Sequence, residues 1–115
     1  MARTPDRETY IVFLKPWSAV TPDSSSARFF EDELARELGS NHPLYGRHAS
    51  CVAKNQTCDD FLFLIDDNTV AQVHLTYMKY PPERPGWPSY TLFETFTEWM
   101  IDSMIQDHRH HLLLW

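Results

Sequence analysis

The sequence predicts an α+β fold in which a three-stranded antiparallel β-meander carries two or three packed α-helices. The first observation is the stretch 60–77, where two β-prone apolar runs flank an Asp-Asp-Asn turn and predict a β-hairpin. The second is the helical spacing of apolar residues after Thr21, and the third is the alternation of residues 46–54. The 115 residues fit one domain, 1–115, in which residues 108–115 form a tail that is either extended or docked.

Composition and charge narrow the classes of function. Sixteen acidic residues against ten basic ones give a formal net charge of −6, which opposes binding to the phosphate backbone of nucleic acids. No stretch approaches the ~20 apolar residues that a membrane span needs, and the first residues contain no apolar leader segment. We therefore expect a cytoplasmic protein that binds neither nucleic acid nor membrane, with a surface charge compatible with a protein partner.

The segment 5–15 permits two interpretations, helix or strand. Thr4 and Pro5, followed by acidic residues, are typical of the start of a helix. Residues 10–13 are nevertheless β-prone. We favour a short helix that ends before Pro16, because the residue preceding a proline avoids the α region.

A second helix is predicted after Thr21, which is followed by Pro22 and Asp23 as in a helix start. Apolar residues then recur every three to four positions, at Ala27, Phe30, Leu34 and Leu38. We expect Gly39 to end this helix in a left-handed conformation. The opposite side is rich in charged residues, which is typical of a face in contact with solvent.

Residues 46–54 alternate, with small side chains on the side of Ala49, Cys51 and Ala53, and predict a strand closely covered by a helix. The hairpin follows directly and completes a three-stranded meander. Its first run, 61–65, is apolar on both faces, so we place it in the middle of the sheet with both faces shielded.

The segment 78–90 contains four prolines and three aromatic residues, and we expect an ordered loop because proline lacks the N–H group that a sheet interior needs. Thr91 or Thr95 then caps a last helix that runs to about Asp107. One side of this helix carries Phe96, Trp99, Met100, Ser103 and Met104.

Four short stretches occur in this order along the chain: His42-Pro43-Leu44-Tyr45-Gly46-Arg47, Cys58-Asp59-Asp60-Phe61-Leu62-Phe63, Val73-His74-Leu75-Thr76-Tyr77, and Trp87-Pro88 followed by Leu92-Phe93. Together they resemble a group of small uncharacterised bacterial single-domain proteins of unknown function, over about residues 29–108. The resemblance implies an intact small domain and transfers no activity, cofactor or site residue. Residues 108–115 depart from the pattern of such proteins.

One candidate site is a pocket around His74. Gln72, His74 and Thr76 alternate with the inward residues of the hairpin, and Trp87 is the aromatic residue of the neighbouring loop. Because histidine titrates near neutral pH, such a face could perform acid–base chemistry in a small hydrolase or bind a ligand. The alternative is a structural His74 that is hydrogen-bonded between the sheet and the proline-rich loop.

Other chemistry is less well supported. His108, His110 and His111 are bunched near the end of the chain and lack the spacing of a zinc site, and three glycines leave no room for a phosphate-binding loop, so we expect neither metal nor cofactor. We interpret Cys51 and Cys58 as free thiols, with Cys51 in the core. The acidic pairs 59–60 and 66–67 are typical of turns.

The remaining candidates are surfaces. The chain has more large apolar side chains than a small domain needs for its core. They lie in the loop, at Tyr80, Trp87 and Tyr90, and near the end of the chain, at Leu113 and Trp115. We therefore expect a small, non-catalytic interaction domain that self-associates or binds a partner protein. The hydrolase or ligand-binding pocket around His74 is the alternative.

Overall fold

The computed structural model describes residues 2–3, 10–66, 68–82, 84 and 86–113. A two-stranded sheet pairs β1 (Ala2–Arg3) with β2 (Tyr10–Ile11). The remaining elements, in chain order, are β3 (Trp17–Ala19), α1 (Ser25–Glu37), β4 (Ala49–Asn55), β5 (Asp60–Ile65), β6 (Val70–His74), β7 (Tyr90–Phe93) and α2, residues 96–113. Within α2, Phe96–Trp99 and Ile105–Leu113 are α-helical and Met100–Met104 form a π-helical segment.

The main sheet has five strands in the order β3-β4-β5-β6-β7, with antiparallel neighbours throughout. The predicted meander is confirmed as β4, β5 and β6, but three strands was too few. The two additional strands lie at the edges and are three and four residues long. Strands this short contain too few side chains for alternation to be recognised, and β7 begins inside the segment that was predicted as a loop.

The predicted helix over 5–15 is wrong in the part that is described. Tyr10 and Ile11 form β2, residues 12–14 have no regular structure, and a turn follows at Lys15 and Pro16. Residues 4–9 of this prediction lie outside the described residues. The strand at Tyr10 and Ile11 agrees with the β-prone character of residues 10–13.

Each face of the main sheet is covered by one helix. The α1 face holds Phe61, Phe63 and Ile65 of β5, and the α2 face holds Leu62 together with the partly buried Leu64. This confirms that the middle strand of the meander is central and shielded on both faces. Such burial accounts for its uninterrupted apolar sequence.

A β-bulge in β4 changes the predicted alternation. The register shifts between Cys51 and Ala53, so the two no longer face the same side. Cys51 packs in the α1 cluster, whereas Val52 and Ala53 pack in the α2 cluster. The prediction of a closely covered strand with small residues is correct for Ala49 and Cys51 and wrong for Ala53, because a bulge adds one residue and reverses the alternation.

The ends of the helices are defined by hydroxyl caps. Ser24, rather than Thr21, caps α1 by accepting a 3.1 Å hydrogen bond from the Ala27 N–H. The helix then ends at Leu38 in an extended conformation, so the predicted left-handed Gly39 is wrong; the glycine with positive φ is Gly46, at 77°.

Thr95 caps α2, as one of the two predictions had it, by accepting a 3.1 Å hydrogen bond from the Glu98 N–H. The helix continues beyond Asp107 through Leu113 and so includes most of the predicted tail. Leu114 and Trp115 lie outside the described residues.

Candidate functional site

Gln72 joins the sheet to α2. Its Oε1 accepts hydrogen bonds from the Trp99 indole N–H, at 2.9 Å, and from the Ser103 hydroxyl. Its Nε2 lies 3.4 Å from Asp60 Oδ2. The side chain is therefore hydrogen-bonded to the helix that packs over it, as expected for a partly buried amide whose polar atoms need partners.

His74 is paired with Asp60. The distance from His74 Nδ1 to Asp60 Oδ1 is 2.7 Å, and half of the histidine side chain is exposed. The predicted connection between His74 and the proline-rich loop exists through the backbone, because the His74 N–H donates to the Ser89 carbonyl at 3.0 Å. The imidazole itself is oriented by a carboxylate, and its Nε2 is left for another partner.

Thr76 belongs to a different environment. Its N–H and its hydroxyl donate to the buried Glu37 carboxylate at the end of α1, both at 2.9 Å, and the Tyr77 N–H donates to the same group at 2.9 Å. Burial of the Glu37 carboxylate, together with its hydrogen bond to Glu33, raises the pKa of Glu37. Thr76 therefore anchors α1 and does not join the face that carries Gln72 and His74.

Trp87 is half-buried, and its ring lies 5.6 Å from the Arg84 guanidinium. Among the described residues, Trp87 forms no hydrogen bond with Gln72, His74 or Thr76. Of the four predicted pocket residues, the structure thus brings two together, at Asp60.

A cleft of about 310 Å³ opens beside Asp60 and Gln72. Its other walls come from the turn before β3, from the end of β4 and the turn that follows it, and from the end of α2: Pro16, Asn55, Thr57, Cys58, Asp107, His110 and His111. Within the described ranges, no three histidine, cysteine or acidic side chains are placed to hold a metal ion. The carboxylate, imidazole and amide side chains that line the cleft can form hydrogen bonds and take part in acid–base chemistry.

The role of Asp60 was missed by sequence reasoning, which assigned the acidic pairs to turns. Asp60 lies directly opposite His74 in the register of β5 and β6. Asp66 likewise accepts hydrogen bonds from Arg47, at 2.9 and 3.1 Å. The turn interpretation is wrong for Asp60, which lies in β5, and correct for Asp66, which lies in the turn after β5. Counting back from the predicted hairpin turn would have placed Asp60 opposite His74.

The two cysteines are free, as predicted, with Cys51 buried and Cys58 exposed. Burial and the nearby Glu31 carboxylate raise the pKa of the Cys51 thiol to about 12. Desolvation also raises the pKa of Cys58. Because the thiolate is the nucleophilic form, neither environment activates a cysteine for catalysis.

The outward side of α2 is apolar. Ile101, Ile105, Leu112 and Leu113, which we call the outer helix face, are all exposed, Ile101 to 55% and Leu113 to 84%. The opposite side is buried through Phe96, Trp99 and Met104. Among the described residues, three hydrogen bonds also attach α2 to residues 14–17: the Trp17 indole N–H donates to Asp107 at 2.9 Å, the Leu14 N–H donates to the Met104 sulfur at 3.4 Å, and His108 Nδ1 lies 2.6 Å from the Lys15 carbonyl oxygen.

The predicted interface residues have different surroundings. Tyr80 is almost fully exposed, whereas Tyr90 is partly buried with its ring 4.7 Å from that of His42. Leu113 belongs to the outer helix face, and Trp115 lies outside the described residues. Ile101 and Ile105 were not singled out as surface residues, because their outward direction depends on how α2 packs on the sheet.

Comparisons with known proteins give no match to a family model, a curated protein or a solved structure. The resemblance to small bacterial proteins therefore stays a prediction. None of the helices that the structure describes is both long and apolar enough to cross a membrane.

Proposed function

We propose that the chain is a small, non-catalytic interaction domain that binds a protein through the outer helix face of α2. One observation carries the proposal: four large aliphatic side chains are exposed on a helix whose first half is anchored to the sheet by buried side chains. Burial of Phe96, Trp99 and Met104 already supplies the apolar contacts that hold α2 in place. Contiguous exposed apolar side chains on such a helix are typical of an interaction site.

The proline-rich loop is a weaker candidate for this surface. Among its described aromatic residues, only Tyr80 is largely exposed, since Trp87 is half-buried and Tyr90 packs against His42. An isolated exposed aromatic residue is common on monomeric proteins. We therefore place the contact on α2.

The test is affinity capture of the tagged protein from a lysate of its source cells, followed by mass spectrometry and light scattering of the eluted complex. The variant Ile101→Ser/Leu112→Ser removes two side chains of the outer helix face. Phe29→Ser on α1 is the matched control, because Phe29 is 58% exposed and Leu112 is 59% exposed.

We expect a stoichiometric protein partner, either another protein or an untagged copy of this chain, with wild type and with Phe29→Ser. The partner is lost with Ile101→Ser/Leu112→Ser. Equal capture by both variants, or a bare monomer with wild type, would contradict the proposal.

A second candidate is a ligand-binding or hydrolytic pocket around His74. It is favoured by the Asp60 carboxylate, which lines the 310 Å³ cleft and lies 2.7 Å from His74 Nδ1, so that His74 Nε2 is left for a substrate or water, although His74 itself does not line the cleft. The test is hydrolysis of p-nitrophenyl acetate as a function of pH, with His74→Gln compared with His48→Gln. If the pocket is catalytic, the wild type shows a saturable activity that His74→Gln abolishes and His48→Gln does not. Equal rates for the two variants would exclude the pocket.

A further inference from the structure

The charges of α2 are divided between its two halves. Glu98 and Asp102 lie in the first half, and the second half contains Arg109, three histidines and Asp107, whose carboxylate accepts a hydrogen bond from the Trp17 indole N–H. Asp102 and Arg109 are both exposed, and neither forms an ion pair with another residue that the structure describes. The distribution suits the helix dipole, but it also makes the helix complementary to a reversed copy of itself.

The apolar side chains follow the spacing of a helix–helix contact. Ile105, His108 and Leu112 are separated by three and four residues, which is the spacing of the a and d positions of a coiled coil, and Ile101 lies four residues before Ile105 in the π-helical segment. His108 lies at the margin, since its Nδ1 is 2.6 Å from the Lys15 carbonyl oxygen. The three aliphatic members of the row are exposed.

We propose that the partner of the outer helix face is a second copy of this chain, bound with the two α2 helices antiparallel; the binding role of that face is the premise. Antiparallel pairing about a two-fold axis between Ile105 and His108 sets Ile101 against Leu112 of the second copy. Asp102 and Arg109 each follow a residue of the row, Ile101 and His108, and so lie on the same side of it. In the antiparallel pair this side of one copy faces the same side of the other, and Asp102 of each copy lies near Arg109 of the other. The two-fold symmetry forms this ion pair twice.

A parallel arrangement lacks this complementarity. It brings Asp102 of one copy towards Asp102 of the other and Arg109 towards Arg109, and like charges at close range are repulsive. The antiparallel arrangement is therefore the one that the charges of α2 select. The apolar row is about 16 Å long, so we expect the contact to bury less surface than the about 1,600 Å² of a standard interface. We therefore expect a Kd on the order of 10–100 μM.

The experiment is sedimentation equilibrium of the purified full chain over a concentration series that brackets this range. We compare wild type with Asp102→Arg, Arg109→Asp and the double variant Asp102→Arg/Arg109→Asp. Asp32→Arg on α1 is the control, because Asp32 is exposed and its reversal changes net charge by the same amount as Asp102→Arg. Circular dichroism verifies that every variant is folded, which is expected because all substituted side chains are exposed.

We expect a wild-type dimer, a Kd about 10-fold higher for each single reversal at the interface, and recovery to within about 3-fold of wild type for the double variant. Asp32→Arg leaves the Kd within about 3-fold of wild type. A monomer at all concentrations would overturn the proposal, as would a dimer that the double reversal fails to restore. If wild type is monomeric but captures a different protein through the outer helix face, the proposed function stands and the homodimer does not.

Discussion

The two long helices pack on opposite faces of one sheet but present different surfaces to solvent. The exposed side of α1 is mainly charged, with Arg28, Asp32 and Arg36, and its large apolar exception is Phe29. The exposed side of α2 carries Ile101, Ile105, Leu112 and Leu113. Packing on the sheet determines only the inward side of each helix. The outward side is free to vary, so its apolar character in α2 points to a binding role.

The helices also differ in how polar groups attach them to the sheet. Helix α1 uses carboxylates: Glu31 accepts a 2.9 Å hydrogen bond from the Cys51 N–H, and Glu37 accepts from Thr76 and Tyr77. Helix α2 uses the Trp99 indole, which donates to the Gln72 amide oxygen. We therefore expect the attachment of α1 to depend on pH through Glu37.

The largest expected effect comes from the buried side of α2. Trp99 is fully buried, and its ring makes edge-to-face contacts with Trp17 at 5.0 Å and Phe13 at 5.8 Å. Trp99→Ala is expected to lower the free energy of unfolding by about 3–5 kcal/mol, measured by urea denaturation. Leu34→Ala on α1 is the comparison, with an expected loss of about 2–4 kcal/mol. A larger loss for Leu34→Ala would mean that α1 contributes more to the core than α2.

The next effect concerns Glu37. Glu37→Ala leaves the N–H groups of Thr76 and Tyr77 without their acceptor and is expected to cost about 2–3 kcal/mol of unfolding free energy. Glu37→Gln keeps an acceptor oxygen and should cost less. Urea denaturation at neutral pH checks both values, and equal losses would show that the carboxylate charge, rather than the acceptor, is what matters.

The pH dependence of stability follows from the opposite pKa shifts of Glu37 and Glu33. Burial raises the pKa of Glu37 above its ordinary 4.5, so its stabilising contribution is complete below pH 4.5 and is lost as pH rises through the raised value. The Arg36 hydrogen bond lowers the pKa of Glu33, so that contribution is present above pH 4.5 and is lost as pH falls through the lowered value.

Together these shifts give a stability maximum near pH 4.5. In Glu37→Gln we expect the decline above pH 4.5 to be absent, because the substituted side chain does not ionise. Urea denaturation between about pH 3 and pH 8 measures this. An unchanged decline in the variant would mean that another group causes it.

A smaller effect is expected for Gln72→Leu, which removes the acceptor of the buried Trp99 indole N–H. The expected loss is about 1–2 kcal/mol of unfolding free energy. Gln106→Leu, an exposed glutamine on α2, is the control and should change stability by less than about 0.5 kcal/mol. If both variants are equally stable, the indole has another acceptor in solution.

The smallest effect on stability is expected on the outer surfaces. Leu112→Ser and Phe29→Ser should each change the free energy of unfolding by no more than about 0.5 kcal/mol, because both side chains are exposed. Only Leu112→Ser should lower the average mass in sedimentation. A large loss of stability for Leu112→Ser would indicate that the outer helix face is buried within the monomer.

The comparison of the helices also shows where sequence reasoning succeeds. The pattern of α1 and the cap at Thr95 were recognised because helical spacing and hydroxyl caps are local properties. The central hairpin was recognised for the same reason, since its apolar runs and its turn are contiguous. The end of α2 was placed too early because the residues after Asp107 pack little, and their helical structure depends on continuity with the anchored turns before them.

The candidate site was less predictable than the fold. Gln72, His74 and Thr76 are neighbours in sequence, yet their side chains bind α2, Asp60 and Glu37, respectively. Alternation predicts only which side of a strand a residue occupies. It does not predict which helix approaches that side, and Thr76 lies beyond the last residue of β6, where alternation no longer applies.

The sequence by itself determined the class of fold, the central hairpin, the helix that became α1 and the inward residues of α2, because local periodicity and capping encode them. Only the tertiary structure decided the edge strands, the reversal of Ala53 at the bulge, the Asp60–His74 pair and the exposure of Ile101, Ile105 and Leu112. Each of these depends on segments that are distant in sequence and meet when the sheet assembles. A pattern along one segment contains no information about the surface that another segment will cover.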